Sequence, residues 1–206
     1  MKPPALDFNE ERHEYRLDGR LVPSVTQVIN SIAPQREVDE WYLHRGSAVH
    51  HAVALAMTDR LDWSSVDERI KGRVEAIMAF VADEKLTPIL IEKRMASERY
   101  RFAGTVDLVA NHPSLGVVIA DWKGSIVPQS TVQLGAYSLL MEEAREVYPP
   151  LRDAVAVQCK DSGKYRCKWV DSRDLRLSRQ TFLAFLTSHN WKLTHSPKNT
   201  PKNTHE

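Results

Sequence analysis

The sequence predicts an α/β fold in which a mixed, mainly antiparallel central sheet is flanked by helices. Two observations lead to this prediction. Between Ser24 and about Glu84 the apolar residues recur at helical spacing, whereas from Pro88 to Lys123 they follow the shorter period of strands. Another helical segment and another pair of strand-like segments follow. Because the chain has 206 residues, we expect a single domain over residues 1–193.

The chain begins with a predicted β-hairpin over residues 13–22. Its turn pair, Asp18-Gly19, has the residue types that adopt the positive φ angles of a tight turn. Ser24 and Gln27 then have the spacing of a capping box, which predicts that a helix begins at this point. The apolar face of this helix comprises Val25, Val28, Ile29 and Ile32.

Two longer helices are predicted next. The first covers residues 41–57, with an interruption expected near Gly46. The second begins at a capping box that starts with Ser65 and continues to about Glu84. Its buried face comprises Ile70, Val74, Ile77 and Val81.

Three adjacent strands follow, over residues 89–92, 102–110 and 117–123. Beyond them we expect a helix over residues 130–146, a strand pair on either side of Ser162-Gly163, and a final helix over residues 177–191. Residues 194–206 repeat Pro-Lys-Asn-Thr and are predicted to form a disordered tail.

The composition excludes several classes of protein. Hydrophobic residues at 42% and charged residues at 27% are ordinary for globular proteins, so a disordered or fibrous chain is not expected. The longest apolar runs, such as residues 116–120, are too short to cross a membrane. The acidic start, residues 1–14, differs from a signal or transit peptide, which predicts a cytoplasmic location. A net charge of +1 indicates no particular partner.

The two cysteines, Cys159 and Cys167, flank a predicted turn over residues 161–164 and could face each other across two strands. In a cytoplasmic protein we expect both to remain thiols. Two cysteines cannot supply the four ligands of a usual iron–sulfur cluster, so no such cluster is expected.

The segment that carries chemistry lies in the second and third predicted strands. Asp107 and Asp121 lie equally far from Ser114, the centre of the intervening loop, so an antiparallel hairpin places them opposite each other on one side of the sheet. Lys123 lies two residues beyond Asp121, and strand alternation points its side chain to the same side. Two carboxylates and an ammonium group are therefore predicted to converge.

Like charges placed opposite each other destabilise a sheet, and a divalent cation would remove this repulsion. Mg²⁺ and Mn²⁺ prefer hard oxygen ligands, and either can polarise a phosphate and activate a water. Lys123 could then orient or deprotonate that water. In the alternative interpretation, Asp107 and Asp121 cap strand ends and Lys123 pairs with one of them.

Four motifs in order resemble the RecB-like branch of the PD-(D/E)xK nuclease superfamily. The resemblance covers roughly residues 23–137, and residues 21–26 are also similar to the lead-in of phage exonucleases and of the mitochondrial genome maintenance exonuclease. It implies a restriction-endonuclease-like core. Each motif alone is weak, but the ordered set is specific: Gly46 to His50, Gly104 to Asp107, Asp121 to Lys123, and Gln133 to Tyr137.

The resemblance implies a set of catalytic and metal-binding residues. Asp107, Asp121 and Lys123 would be catalytic, with Mg²⁺ or Mn²⁺ as cofactor. The metal ligands would be His50, Asp107, Asp121 and the main-chain carbonyl of Trp122. His51 competes with His50, because one helical step rotates a side chain by about 100°. The spacing from Gly46 favours His50.

Three further residues are secondary candidates. Gln133 and Tyr137 lie four residues apart on one helix face and resemble residues that support the lysine and contact DNA. In the alternative, Ser130 to Gln133 is only a capping box and Tyr137 is a core residue. Glu92 matches a position that is often acidic in related nucleases, but it could equally face solvent or pair with Lys93 or Arg101.

Candidate DNA contacts lie in two segments. Residues 93–101 are basic with one aromatic side chain, which suits phosphates and a stacked base, although a solvated hairpin loop is an equal alternative. Ser24 and Thr26 could bind a phosphate at a helix N-terminus, with simple capping as the other role for Ser24. The predicted DNA-binding residues are Ser24, Thr26, Arg94, Arg99, Tyr100 and Arg101. Trp41, Trp63, Trp169 and Trp191 are interpreted as packing residues.

Together these features predict a metal-dependent DNA exonuclease that hydrolyses phosphodiester bonds in phage or prophage recombination or repair. Its substrate would be linear DNA with a free end, in a bacterial or phage-infected cell. A single-strand annealing or recombination protein is a candidate partner. The alternatives are a structure-specific endonuclease and a DNA-end-binding module without catalysis.

Overall fold

A small N-terminal sheet and a larger central sheet organise the protein. The computed structural model describes residues 5–34, 40–144 and 151–195. In these residues, three antiparallel strands form the first sheet and five strands form the second. None of the described helices is long and apolar enough to cross a membrane.

The N-terminal sheet contains the predicted hairpin and one strand that the sequence did not reveal. Strand β1 (Leu6–Asn9) pairs with β2 (Glu14–Leu17), which pairs with β3 (Arg20–Val22). Asp18 and Gly19 form the turn with φ angles of 51° and 73°. Strand β1 is short and its exposure alternates only weakly, which explains why its pattern was missed.

Helix α1 (Val25–Ile32) begins at the predicted capping box. Ser24 Oγ accepts a hydrogen bond from Gln27 N, and Gln27 Oε1 accepts one from Ser24 N. The backbone before α1 is fastened to the central sheet, because Ala103 N donates to Pro23 O at 3.0 Å. The start of this helix therefore lies beside the first residues of the strand that contains Ala103.

Two predictions for the next helices were wrong in detail. Helix α2 (Glu40–Ala56) runs through Gly46 without a break. Helix α3 (Glu68–Asp83) begins after Asp67, whose carboxylate accepts a hydrogen bond from Arg69 N, and not at Ser65. Ser65 instead ends a short 3-10 turn. Ser65 and Glu68 have the spacing of a capping box, but Asp67 caps the helix through its own carboxylate.

The central sheet has five strands in the order β4-β5-β6-β7-β8. All neighbours are antiparallel except β6 and β7, which are parallel. The strands are β4 (Thr87–Ser97), β5 (Phe102–His112), β6 (Gly116–Lys123), β7 (Asp153–Cys159) and β8 (Tyr165–Val170). This mixed, mainly antiparallel sheet confirms the predicted fold class.

Helix α4 (Pro128–Glu143) makes the crossover between the parallel strands, and α5 (Ser172–His195) follows β8. Helix α4 begins after Val127 and not at Ser130, whose hydroxyl accepts a hydrogen bond from Val127 N. Helix α5 begins five residues earlier than predicted and includes Thr194 and His195. The rest of the predicted disordered tail, residues 196–206, lies outside the described residues.

Helices cover both faces of the central sheet. Residues of α1, α4 and α5 pack against one face, where Val109 and Ile119 are fully buried. Residues of α2 and α3 pack against the other face, where Leu108 and Ala120 are fully buried. Each face thus excludes water from one side of β5 and β6.

The cysteines do not face each other. Cys159 lies opposite Tyr165, and Cys167 lies opposite Val157, so their side chains are two positions out of register. Both are free thiols. Three of the tryptophans interpreted as packing residues are instead substantially exposed: Trp41, Trp63 and Trp191.

Candidate active site

The candidate site lies in a fork where β5 and β6 separate. Their pairing runs from His112 and Gly116 to Leu108 and Ala120, which is the register predicted from the loop centre. Asp107 and Asp121 come directly after the last pair. Trp122 N donates a hydrogen bond to Asp107 Oδ2 at 2.7 Å, so the carboxylate crosses the fork. Both carboxylates are buried at the base of this opening.

Strand alternation breaks at the same level in β4 and β5. Val106 packs on the α1 side and Leu108 on the α2 side, although residues two apart normally share a face. In β4, Leu90 and Met95 pack on one side despite being five residues apart. Between them, Glu92 has a φ of 47°, which is strained for a residue with a Cβ. Strain of this kind is concentrated at functional sites.

His50, Glu92 and Asp107 meet at this break. His50 Nδ1 lies 3.0 Å from Glu92 Oε1 and 3.4 Å from Asp107 Oδ1. One ligand atom from each of the three residues lies within 4.8 Å of the others. Glu92 therefore contacts His50, and not Lys93 or Arg101 as its alternative interpretation proposed. His51, on the next helical step, is exposed.

Asp121 and Lys123 form the second half of the cluster. Lys123 Nζ lies 2.6 Å from Asp121 Oδ2, and Asp121 is 1% exposed. Gln133 Nε2 donates to Tyr137 Oη at 2.7 Å and lies 3.5 Å from Asp121 Oδ1. Gln133 and Tyr137 of α4 thus lie beside the Asp121 carboxylate, although Tyr137 is itself buried.

Gly104 permits this close approach of α4. A Cβ at residue 104 would lie 3.0 Å from Tyr137 Cε1 and 3.1 Å from Val25 Cγ2. Both contacts are tighter than ordinary van der Waals packing. The Gly104 to Asp107 motif therefore needs glycine at its first position, because the absence of a Cβ lets α1 and α4 pack directly onto β5.

Burial and charge shift the pKa values of the cluster. Burial raises the pKa of Asp121 to about 7, with Lys123 opposing and Asp107 reinforcing this shift. Burial also raises the pKa of Asp107, against the lowering effect of His50. Burial lowers the pKa of His50, but Asp107 and Glu92 outweigh it and raise the value to about 9. The carboxylates therefore need a nearby cation to be fully charged.

The residues of the cluster fit a divalent cation. Lys123 Nζ lies 2.6 Å from Asp121 Oδ2, so an ammonium group already approaches this buried oxygen. His50, Glu92 and Asp107 offer three ligand atoms that lie within 4.8 Å of one another. Carboxylate oxygens with one imidazole are donors that Mn²⁺ accepts, and the carboxylates also suit Mg²⁺. The predicted fourth ligand, the Trp122 carbonyl, lies on the adjoining backbone of β6.

Two cavities adjoin the cluster and share Thr26, Gly46, His50 and Lys123 among their lining residues. The larger, about 690 Å³, contains Glu92, Asp107 and Asp121. The smaller, about 450 Å³, contains Arg45, Arg73, Ser125 and Ser130. The buried cluster is therefore accessible to a substrate from two sides.

The predicted DNA contacts are only partly at these cavities. Thr26 is exposed and lines both of them, and Arg94 lines the larger. Ser24 borders the larger cavity, but it is buried and its side chain caps α1.

The other three predicted contacts, Arg99, Tyr100 and Arg101, are in the turn between β4 and β5. This turn lies about 16 Å along the strand from Glu92. Arg101 donates to Leu17 O at 3.1 Å, and Arg99 lies over the Tyr100 ring. No described residue of this turn lines either cavity. The structure does not bring these side chains to the site, because they hold the N-terminal hairpin and the turn itself.

Several lining residues were not found from the sequence. Phe8 and His13 reach the larger cavity from the N-terminal sheet, Tyr42 reaches both cavities from α2, and Arg73 reaches the smaller cavity from α3. They belong to segments far apart in sequence. The one sequence signal for any of them is the adjacent aromatic pair Trp41-Tyr42.

Comparison with known proteins identifies the class. The family model of the PD-(D/E)XK nuclease superfamily matches residues 24–168, and the chain belongs to this superfamily. The matched segment runs from the N-cap of α1 into β8. It contains all five residues of the cluster: His50, Glu92, Asp107, Asp121 and Lys123.

Solved structures include distant neighbours. An alkaline exonuclease of Laribacter hongkongensis in complex with dAMP is 10% identical, with a TM-score of 0.45, covering 84% of this chain and 90% of its own. A second structure of that exonuclease is 10% identical, with a TM-score of 0.39 and coverages of 83% and 90%. A search of curated proteins finds no match.

Proposed function

We propose that the protein is a divalent-metal-dependent deoxyribonuclease that hydrolyses phosphodiester bonds from the ends of linear DNA. The observation that supports this most is the convergence of His50, Glu92 and Asp107 beside the Asp121–Lys123 pair, at the base of an open cleft. Mg²⁺ and Mn²⁺ are the proposed cofactors. When bound, such an ion supplies Lewis-acid polarisation of the phosphate and a water of lowered pKa.

His50, Glu92, Asp107 and Asp121 are the side chains that would hold the cation. They come from α2, β4, β5 and β6, so four elements fix the ligand positions before any substrate arrives. His50 is held by two carboxylates, which orient its ring. The Trp122 amide likewise fixes the Asp107 carboxylate. This pre-organisation is what catalysis by positioning requires.

Lys123 is proposed to orient the attacking water and to balance charge on the phosphate. Burial lowers its pKa, but Asp121 and Asp107 outweigh burial and raise it, so the ammonium form persists. A persistent ammonium group is a poor base and a good donor to an oxyanion. Of the two roles that the sequence left open, Lys123 is therefore better suited to charge stabilisation than to deprotonation of water.

Gln133 and Tyr137 are proposed to support the site from α4. Burial, followed by the charge of Asp121, raises the pKa of Tyr137 well above its ordinary value, so its hydroxyl stays neutral. The Gln133 amide bridges this hydroxyl and the Asp121 side of the cluster. Their contribution is the alignment of Asp121, and not a second proton-transfer group.

Exonucleolytic action and a place in phage or prophage recombination or repair follow from the motifs that resemble phage exonucleases. A single-strand annealing protein is the partner that this setting implies. The rival activity is a structure-specific endonuclease, since the same cluster serves both. The rival outside the enzyme class is a DNA-end-binding module.

Digestion of end-labelled linear and circular DNA, with Mg²⁺, with Mn²⁺ and with chelator, tests the proposal. We expect metal-dependent loss of linear DNA and resistance of circles, with Asp121→Asn protein as the inactive control. Cutting of circles would replace the exonuclease with an endonuclease. Binding of DNA ends without cleavage under every metal condition would leave only the end-binding module.

A further inference from the structure

Aromatic side chains from two elements outside the central sheet line the larger cavity. Phe8, His13 and Tyr15 come from the N-terminal sheet, and Tyr42 comes from α2. The same cavity contains Glu92, Asp107 and Asp121. A DNA strand that reaches the carboxylates through the larger cavity therefore passes beside aromatic rings.

The first group, which we call the Phe8 platform, comprises the rings of Phe8, His13 and Tyr15 together with the Arg94 guanidinium. The Arg94 guanidinium lies over the Phe8 ring, 4.3 Å from its centroid. The Tyr15 ring is 4.6 Å from Phe8, and the His13 ring contacts Phe8 edge-on at 5.2 Å. Phe8 is thus held on several sides while its neighbour Arg94 keeps 49% of its side chain exposed.

The Phe8 platform is fastened to the catalytic strand. Tyr15 is 2% exposed, and its hydroxyl shares a 2.8 Å hydrogen bond with Thr105 Oγ1 on β5, two residues before Asp107. The N-terminal sheet is therefore not a loose appendage. Its rings hold a defined position relative to the metal ligands.

The second group of rings lies at the start of α2. The Arg45 guanidinium lies 4.7 Å and 4.8 Å from the ring centroids of Trp41 and Tyr42, and these two rings contact each other edge-on at 5.0 Å. Tyr42 is 51% exposed and lines both cavities. The Tyr42 ring is packed against Arg45 but keeps half of its surface exposed. It can therefore accept a nucleobase.

We propose that these aromatic groups make the protein selective for single-stranded DNA, or for the frayed end of a duplex, by stacking unpaired bases on Tyr42 and on the Phe8 platform, where the half-exposed Arg94 guanidinium covers the Phe8 ring. The proposal rests on the proposed nuclease function and specifies its substrate. In an intact duplex the base faces are already stacked on each other, so only unpaired bases can use these groups. Arg94 adds attraction to the strand's phosphates.

The three rings of the Phe8 platform lie outside the segment that the family model matches. Phe8, His13 and Tyr15 precede that segment, which begins at residue 24, whereas Arg94 and Tyr42 lie within it. Strand selectivity would therefore depend on both the N-terminal sheet and the matched segment.

A binding assay without turnover tests the proposal. Fluorescence anisotropy is measured with Asp121→Asn protein in chelator at fixed salt, on labelled oligothymidine and on a blunt duplex of equal length. We expect the single strand to bind at least about ten-fold more tightly. Phe8→Leu and Tyr42→Leu keep apolar volume but remove the ring, and each should weaken single-strand binding about ten-fold with little effect on the duplex.

Matched variants separate stacking from general damage. Trp191→Leu removes an exposed ring that stacks on His195 in α5 and lines neither cavity, so it should bind like the parent. Phe8→Tyr retains a ring and should restore binding. A set of oligothymidines, each with one abasic residue at a different position, should bind the parent protein more weakly at particular positions. At one of these positions the abasic residue should not change the affinity of Phe8→Leu protein.

The outcomes distinguish this proposal from the proposed function. Equal affinity for single strand and duplex, or unchanged binding by both Leu variants, would overturn strand selectivity even if cleavage is intact. Selective single-strand binding by a wild-type protein that never cleaves DNA would overturn the nuclease proposal and leave the stacking inference standing.

Discussion

The two cavities that meet at Lys123 differ in charge and in the chemistry they offer a substrate. The larger contains carboxylates and aromatic rings, including Glu92, Asp107 and Phe8. The smaller contains Arg45 and Arg73 with several hydroxyl groups, and none of its described lining residues is Asp or Glu. Both arginines pair with the Asp161 carboxylate, so two guanidinium groups face one carboxylate and a net positive charge remains. A phosphate is therefore favoured in the smaller cavity, whereas the larger favours a cation and stacked bases.

This difference shows how one cluster can bind a polyanion despite its own negative charge. The carboxylates would attract the proposed cation, and the arginines of the smaller cavity would attract the strand. Lys123 borders both cavities, so its ammonium group lies where the two environments meet. Variants on either side of this junction test whether the division is real.

Removing one carboxylate from the larger cavity should have the largest effect. We expect Asp121→Asn to lower the cleavage rate by at least about 100-fold, because it removes the charge of a proposed metal ligand at nearly constant volume. Rates on labelled DNA in Mg²⁺ and Mn²⁺ measure this. Wild-type turnover by the purified variant would exclude Asp121 as a ligand.

Asp121→Asn also tests how the buried carboxyl group affects the stability of the metal-free protein. Because burial raises the pKa of Asp121 to about 7, its folded-state pKa lies above the ordinary 3.8. The resulting stabilisation is complete below about pH 3.8 and is lost as the pH rises through about 7, where the buried carboxyl ionises. Metal-free Asp121→Asn protein should therefore melt no lower than the parent at pH 8. A lower melting temperature would mean that the Lys123 ion pair outweighs burial.

Removing the cation at the junction should separate binding from chemistry. With Lys123→Ala all four proposed metal ligands remain, so Mn²⁺ affinity in calorimetry should be retained. The cleavage rate should still fall by about 100-fold or more, as charge compensation and water orientation are lost. If metal affinity collapsed together with activity, Lys123 would be structural.

The adjacent histidines of α2 form a matched pair of variants. His50→Ala removes the group that contacts Glu92 and Asp107, and activity should drop severely, with partial recovery in excess Mn²⁺. His51→Ala alters an exposed side chain about 100° around the helix and should keep near-normal rates. A metal titration of both variants side by side decides between them, and the reverse result would place the metal on the other face.

Local rules predicted one part of the site well. The loop centre at Ser114 was enough for the β5–β6 register, and strand alternation placed Lys123 beside Asp121. The capping box at Ser24 likewise specified the start of α1. These features depend on residues close in sequence, where turn geometry and side-chain period leave few alternatives.

The residues that surround the Asp121–Lys123 pair could not be predicted from local rules. Glu92 contacts His50, from which it is 42 positions away in the sequence, and its φ of 47° breaks the alternation on which a sequence prediction relies. Arg99 and Arg101 looked suited to DNA, but the turn that carries them lies at the far end of β4. Phe8 reaches the cavity only because Tyr15 docks the N-terminal sheet on β5. Tertiary packing decides each of these placements.

Two glycines from the sequence motifs give the smallest effects and the finest test of the cavities. At Gly46 an added Cβ meets no atom within 4 Å, and the residue lies inside α2, so Gly46→Ala should stabilise the fold by about 0.5–1 kcal/mol. Gly46 lines both cavities, however, and the methyl group would project into the space proposed for the strand.

Cleavage by Gly46→Ala should therefore fall a few-fold while its melting temperature rises. Gly104→Ala should do the opposite to stability, because its Cβ presses on Tyr137 and Val25, at a cost of about 1–3 kcal/mol. Thermal melts and single-strand cleavage rates of both variants measure the contrast. A Gly46→Ala protein that is more stable and fully active would show that the DNA strand does not pass over α2 at this residue, and the substrate path would then have to run along the N-terminal sheet alone.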